Sequence, residues 1–555
     1  MAADKTPDRT LRNRPARWWL AGLIGVNVIV FGPAITHGWV MWDDPAHVLV
    51  NPLVRNWWEA PWSSRLLTPR FGYPIPLPVA VYAVIWNVFG QAAAPAVHAV
   101  SILIHLVNLS LVYAVARRWV GRWEIALLGA AIWSLHPVVT ESVAWASNLN
   151  ELVATLGILL GIFGWQGIVE GRGRREWGAM AAGIAIAVSS KPIVLVVGPA
   201  LLVIVYLSSA EGRRRRRLYL VGGLVTVIIA SWVAFLEVGL RANLGSASVN
   251  FEARNWGITV LKAAGVYAGN YLYPLDLQPY YPLELRTFDP YAVGGVLVLV
   301  VGACAVLAAL YRTWLIAFPL SFTALTYLPY SNVRPIPRFA SDTYLYLPSV
   351  GLAMCLGAGA VFAYERAGDR LGKRAWSAVV CILLFGFSAL SVMQVPRWST
   401  TERLFGPLLG TPDVFALPYS LIAYEKFRDG NYQEAAGLLK KAWPRLERTR
   451  ELPRFAPRAF LKSGDRRMAG RARLRVAEVY GGADAEFAEA FGFIVEHGLP
   501  PPRDPEVVRL FRRSFSAWKK QRRMSAAASA TDLPSPGAVS DYLQNHGLSR
   551  SRGRP

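Results

Sequence analysis

The sequence is short of charge and of cysteine. Only 17% of its 555 residues are Asp, Glu, Lys or Arg, and 54% are hydrophobic. Soluble domains carry about 25% charged residues, so this balance excludes a disordered chain and argues against an ordinary soluble enzyme. The three cysteines, Cys304, Cys355 and Cys381, stand singly inside apolar runs, which leaves no disulfide framework and no CxxC metal site. Acid is scarce relative to base, 36 Asp and Glu against 59 Lys and Arg, a formal net charge of +23. No GxGxxG, P-loop or HExxH pattern competes for the chemistry.

A charge of +23 fits a nucleic-acid binder, but the cations fall in short clusters between long apolar runs instead of covering one face. A polytopic α-helical membrane protein accounts for both features. Spans need about 20 apolar residues, and Lys and Arg collect in the loops that remain in the cytoplasm.

Eleven runs could span, at 18–37, 97–116, 124–140, 150–168, 177–190, 193–208, 219–238, 293–311, 314–330, 345–364 and 376–395. The basic clusters, from the N-terminal arginines to Arg213–Arg217 and Arg366–Arg374, then all land on one side, which puts residues 1–17 in the cytoplasm and the chain after Pro396 on the far side. The basic N-terminal stretch has no small-residue cleavage site after it, so the first run reads as a retained span. The stretches 74–90 and 256–273 would invert that order if they crossed, and they are read as interfacial or re-entrant. Past residue 396 the composition turns polar. Residues 418–444 read as two amphipathic helices joined at Asp429-Gly430-Asn431, with Ala435, Ala442 and Pro444 in the pattern of one tetratricopeptide unit. The expected domains are therefore a membrane part over 18–395, whose outer loop 38–95 carries an acidic pair, a tetratricopeptide-like helical part over 396–523 and a disordered tail over 524–555.

Ionisable groups at a membrane edge are costly and so mark candidate sites. Asp43 and Asp44 follow the first span. Adjacent carboxylates repel, which raises one pKa and yields a base, or a pair for a divalent cation that the sequence does not require; a solvated helix cap is the structural alternative. His98 and His105 share one stripe of a span, where packed core histidines are the common outcome. His136 and Glu141 lie past the third span. Lys191, Arg334 and Arg338 stand on the outer side against the positive-inside trend and suit a phosphate, Arg by bidentate contact, while a snorkelling Lys191 is the structural alternative. Asp342 and Tyr344 adjoin the two arginines. Carboxylates facing cations suit a transferase that uses a lipid-phosphate donor, the carboxylate taking a proton from the acceptor and the cations stabilising the leaving phosphate.

Asp43-Asp44, Tyr73-Pro74 to Phe89-Gly90, His98 to His105-Leu-Val-Asn108, Leu135-His136-Pro137 to Glu141-Ser-Val-Ala-Trp145, Ser190-Lys191, Tyr271-Leu-Tyr-Pro274-Leu-Asp-Leu277 and Tyr344-Leu-Tyr-Leu-Pro348-Ser-Val-Gly351 occur in one order. Over about residues 18–445 that order resembles the transmembrane and tetratricopeptide-repeat O-mannosyltransferases and their bacterial relatives, of the GT-C glycosyltransferase superfold. The resemblance implies about 11 spans and inverting transfer of a mannose-like hexose from a polyprenyl-phosphate donor to a protein, lipid or glycan acceptor on the periplasmic face of the inner membrane. It implies Asp43 or Asp44 as the base with Glu141 assisting, and a protein partner for the repeat-like part; nucleic acid is not expected. Leu149 and Asn150 stand where relatives usually have a basic residue, and Thr343 where they commonly have Arg. A transporter or a non-enzymatic scaffold presenting the helical part is the competing reading, although paired broken helices and internal symmetry are not evident in the sequence.

Overall fold

The computed structural model describes residues 14–70, 73–191, 198, 256–281, 287–312, 314–332, 336, 338–410, 416–449, 452–480, 484–525 and 534–546. These are helical apart from loops and one short antiparallel pairing, Pro69–Arg70 with Tyr73–Pro74. The chain divides into two compact units, Met1–Leu404 and Phe405–Pro555.

The first unit holds helices at nine of the eleven expected runs; those at 193–208 and 219–238 lie outside the described residues. Among the described residues, Ala16–Thr36, Pro76–Val120, Ala146–Val169 and Arg370–Ser399 are long and apolar enough to cross a membrane. Trp123–Leu135 and Pro137–Ala144, bent by 57°, make a fifth crossing if taken as one span. The 74–90 stretch is a helix, Pro76–Phe89, closed by Gly90 at φ +55° before Ala93–Val120 begins. The 256–273 stretch is the helix Trp256–Leu272.

In lipid, helices gain little from mutual apolar burial and associate through close backbone approach and hydrogen bonds. Both devices are present. Leu149–Val169 and Arg174–Ser190 meet at glycines, where a Cβ on Gly157 would lie 2.5 Å from the Ala187 nitrogen and one on Gly164 2.5 Å from the Met180 nitrogen. Trp123–Leu135 and Ser349–Arg366 meet in the same way, at Gly129 and Gly357. Between the seams, Asn27 donates to Ser134 (3.1 Å), Asn108 to the Leu152 carbonyl (3.0 Å) and Trp133 to the Tyr346 carbonyl (2.9 Å), which ties four helices together.

The second unit is built from consecutive helix pairs. Helix Ala416–Arg428 ends in a Schellman motif, in which Asn431 N–H donates to the Lys426 carbonyl (2.8 Å) and Gly430 N–H to that of Phe427 (3.3 Å). Gly430 takes φ +85° there, a left-handed position that glycine occupies without strain. The same pair of bonds recurs at Gly464 and Gly498, so the three turns follow one another at intervals of 34 residues. Helices Tyr432–Thr449, Arg466–Tyr480 and Pro505–Ser525 follow the turns. Ala435, Leu439, Ala442 and Leu446 are buried at helical spacing, the stripe that a packed helix requires. The tail expected to be disordered instead carries a helix, Pro536–Asn545. Ser535 caps it by accepting from Ala538 N–H, Pro536 opens it, and Val539 and Tyr542 are buried; two apolar anchors and a cap outweigh the Ala, Ser and Gly content around them.

The glycine seam makes a quantitative expectation. Gly183→Val places a branched side chain where even a Cβ would lie 2.6 Å from the Gly157 carbonyl oxygen. Overpacking of this kind costs roughly 1–3 kcal/mol. The purified variant is expected to unfold several degrees below the unaltered protein in a detergent thermal melt, whereas Gly178→Ala, at a glycine with open space around it, leaves the melt unchanged.

Candidate functional site

The site is assembled where a helix breaks. Trp123–Leu135 stops at His136-Pro137, because proline cannot continue the helical hydrogen-bond ladder. The His136 Nδ1 accepts from Val138 N–H (3.2 Å) and its Nε2 faces the Tyr271 carbonyl (2.9 Å). Both nitrogens are thereby spent on backbone, and His136 is a structural cap. The short helix Thr140–Ala144 then presents Glu141, and Trp145 follows at its end.

Glu141 is 3% exposed. Its carboxylate accepts from Arg338 Nη1 (2.6 Å), from Ser341 Oγ (2.9 Å) and from Asp342 N–H (3.1 Å). Arg338 also donates to the Pro279 carbonyl, and its guanidinium lies 4.3 Å from the ring centre of Trp42 and 5.6 Å from that of Trp145. Trp42 and Trp145 stack at 5.1 Å. The Arg338 Nε is buried without a hydrogen-bond partner. Asp342 is buried and accepts on one oxygen from Asn270 (2.6 Å) and Tyr281 (2.8 Å); burial, reinforced by the Glu141 charge, raises its pKa.

The two adjacent aspartates do different things. Asp44 is fully buried and accepts from Val40 N–H (2.7 Å), Ser147 N–H (3.1 Å) and the Ser147 hydroxyl. It ties the loop after the first helix to the start of the Leu149–Val169 helix. Burial pushes its pKa up to about 7, against the opposing pull of those bonds. Asp43 is half-buried, and its carboxylate accepts no hydrogen bond from a described residue. Burial raises it to about 6, with Arg338 lowering it and Glu141 raising it. Asp43 is thus a carboxylate without a hydrogen-bond donor among the described residues, in the field of the Arg338–Glu141 pair.

The other expected residues separate from this cluster. Lys191 is buried and ion-paired with Glu151, which also accepts from the Tyr330 hydroxyl (3.0 Å). Its ammonium sits 4.6 Å and 5.4 Å from the rings of Tyr330 and Tyr344, so the structure spends this cation on an internal partner and assigns Tyr344 to its cage. His98 faces the Gly38 carbonyl at 3.3 Å. His105 contacts the Tyr346 hydroxyl (2.8 Å) and Asn27 (3.3 Å) inside the helix bundle, as a packed core histidine would. Arg334 lies outside the described residues. Ser147, Asn270, Tyr281, Trp42 and Trp145 are site residues beyond the sequence candidates; Trp42, which precedes Asp43-Asp44, and Trp145, in the Glu141-Ser-Val-Ala-Trp145 motif, have a signal in the sequence. Among the described residues no group of three or more His, Cys, Asp or Glu is placed to hold a metal ion.

Residues 73–235 match the family model described as dolichyl-phosphate-mannose-protein mannosyltransferase. The match supports the resemblance read from the sequence, and with the apolar helices it supports a membrane-embedded glycosyltransferase of mannosyltransferase type. It includes Glu141 and Lys191 and begins after Asp43 and Asp44. A comparison with curated proteins finds no match.

Glu141→Ala would leave Arg338 buried and uncompensated. Removing one partner of a buried pair costs about 3–5 kcal/mol. A thermal melt of the purified variant is expected to show that loss, with Glu141→Gln intermediate because it keeps a hydrogen-bond acceptor for Ser341 and Asp342.

Proposed function

We propose that the protein transfers a hexose from a polyprenyl-phosphate donor to a hydroxyl acceptor, with inversion, and that Asp43 is the general base. The carrying observation is the contrast within the acidic pair. Asp44 has its oxygens engaged by Val40 and Ser147, while Asp43, half-buried, accepts no hydrogen bond from a described residue and lies in the field of Arg338. In a single displacement the acceptor oxygen attacks the anomeric carbon and loses its proton to Asp43, as the bond from that carbon to the phosphate oxygen breaks and the phosphate leaves with the electron pair. Arg338 is the cation at hand for that phosphate, with its unpartnered Nε as the donor to it. Glu141 acts through Arg338, holding the guanidinium in place. Lys191, neutralised by Glu151, supports the site by position.

The outer location of the site, the inner membrane and the cytoplasmic N-terminus are part of this proposal and rest on the distribution of basic loops. The second unit is read as a tetratricopeptide-like array of three helix pairs, supported by its interval of 34 residues. Its groove of about 1150 Å³, lined by Tyr424, Phe427, Phe455, Tyr480 and Phe493 among others, is where a protein partner would lie.

Purified protein supplied with a polyprenyl-phosphate hexose is expected to release or transfer the sugar, and Asp43→Asn to lower that rate by about 10²–10⁴-fold. Full activity in a correctly inserted Asp43→Asn variant would sink the assignment. The base must be ionised, and Asp43 is raised to about 6. The rate should therefore climb between pH 5 and pH 7 and level off above, and an activity that falls over that interval contradicts Asp43 as the base.

A further inference from the structure

The last long helix of the second unit, Pro505–Ser525, has one face explained by its own fold and one that is not. Val507, Leu510, Phe511, Ser514, Ala517 and Trp518 are buried. Phe511, Phe515 and Trp518 surround Phe491 of the preceding helix with ring centres 5.0–5.7 Å away. These positions recur every three or four residues and form a single apolar stripe. The opposite stripe is Arg509, Arg512, Arg513, Ser516, Lys519 and Lys520, all exposed. From Val507 to Thr531 the sequence holds seven cations and no Asp or Glu.

Elsewhere in this unit the fold supplies a counter-ion for the cations it buries. Arg475 is paired with Glu447, Glu478 and Glu506 at 2.7–3.0 Å, and Arg471 with Glu447 at 2.8 Å. At Arg509, Arg512 and Lys519 the stripe on Pro505–Ser525 is treated differently. Arg512 and Lys519 meet no carboxylate among the described residues, and Arg509 reaches only Glu478, at 4.0 Å, which Arg475 already engages. The guanidinium of Arg513 and the ammonium of Lys519 lie 4.2 Å from the ring centres of Phe487 and Phe515, cation–π contacts that hold both charges along the helix surface while the residues stay exposed.

We propose that this stripe binds the anionic phospholipid headgroups of the bilayer in which the same chain is embedded. From Arg509 to Lys520 it forms a rod of charge about 16 Å long, matched to a plane of phosphates. Cations held at an anionic membrane surface are attracted to it over about a Debye length. The apolar helices of the first unit keep the second unit tethered to a bilayer, so headgroup phosphate is present at high effective concentration. Single-stranded nucleic acid fits less well, because the rings of Phe511 and Trp518 are turned into the core and no aromatic platform is left for bases to stack on.

Ser516, the uncharged position within the stripe, is the reporter site. Full-length protein carrying Ser516→Cys, with Cys304, Cys355 and Cys381 replaced by Ser, is labelled with bimane and placed in nanodiscs containing a headgroup quencher lipid. Nanodiscs with about 30% phosphatidylglycerol are expected to quench the label at least about threefold more than phosphatidylcholine ones, and 0.5 M NaCl should remove the difference. Arg509→Glu, Arg512→Glu and Lys519→Glu together should remove it too. A charge-matched control with Lys441→Glu, Arg458→Glu and Arg467→Glu should keep it. Equal quenching in both lipids overturns the proposal, as does a control that loses the effect equally. Protection of the label by short RNA with no response to phosphatidylglycerol overturns it in favour of a nucleic-acid surface.

Discussion

The site depends on one buried ion pair. Glu141 and Arg338 are far apart in sequence and come from a broken helix and from the loop before Ser349–Arg366, yet they meet at 2.6 Å with little water around them. A charge in such a place is tolerated only when its partners are complete. Glu141 has three donors; Arg338 has Glu141, a carbonyl and two indole faces. Those obligations fix the positions of Trp42, Trp145 and Ser341 at once, and they carry the first outer loop with them. Asp43, which precedes Asp44 and adjoins Trp42, is aimed by a network to which its own carboxylate contributes no hydrogen bond.

That arrangement separates two roles that a sequence of two aspartates leaves merged. Asp44 is the anchor, because it accepts from Val40 within its own loop and from Ser147 at the start of the next helix, joining the two. Asp43 is the group left available. Proximity to a rigid neighbour is what turns an ordinary carboxylate into a positioned one, and here the rigid neighbour is the next residue in the chain. The broken span serves the same end. His136 and Pro137 stop the helix early enough for Glu141 to lie beside the loops instead of inside the bundle.

The apolar helices of the membrane part were legible in the sequence, because long apolar runs report directly which segments are built to lie in a bilayer. The acidic pair, Glu141 and Arg338 were legible as candidates, since charge next to a span is rare. Their pairing was not, because a contact between residues 141 and 338 has no local signature. Lys191 shows the opposite failure: it read as a phosphate ligand because it violated the charge pattern, and Glu151, at the start of the neighbouring helix, was not weighed as its partner. In the second unit one helical repeat was evident from Asp429-Gly430-Asn431; the turn at Gly464 has a similar polar surround in Ser463 and Asp465, whereas that at Gly498 is followed by Leu499. Only their shared Schellman geometry and the recurrence of buried Ala435 as Ala469, 34 residues on, expose the period.

The balance of charge at the site constrains how a phosphate could be received there. Asp43, Glu141 and Asp342 lie in the field of one guanidinium, with Asp44 next to Asp43, and Lys191 is already neutralised by Glu151. Four ionised carboxylates would repel an anionic donor. The structure answers this through solvation: burial raises Asp43 to about 6 and Asp44 to about 7 and raises Asp342 as well. A buried carboxyl with a raised pKa takes up a proton when negative charge arrives beside it, since each added anion disfavours ionisation further. Bringing in a phosphate therefore shifts Asp44 and Asp342 toward their neutral forms, while Asp43, raised to the lower value and held down by the Arg338 charge, ionises more readily than Asp44. The same dry environment that makes these acids costly to ionise thus favours a single base in a site with four carboxyl groups.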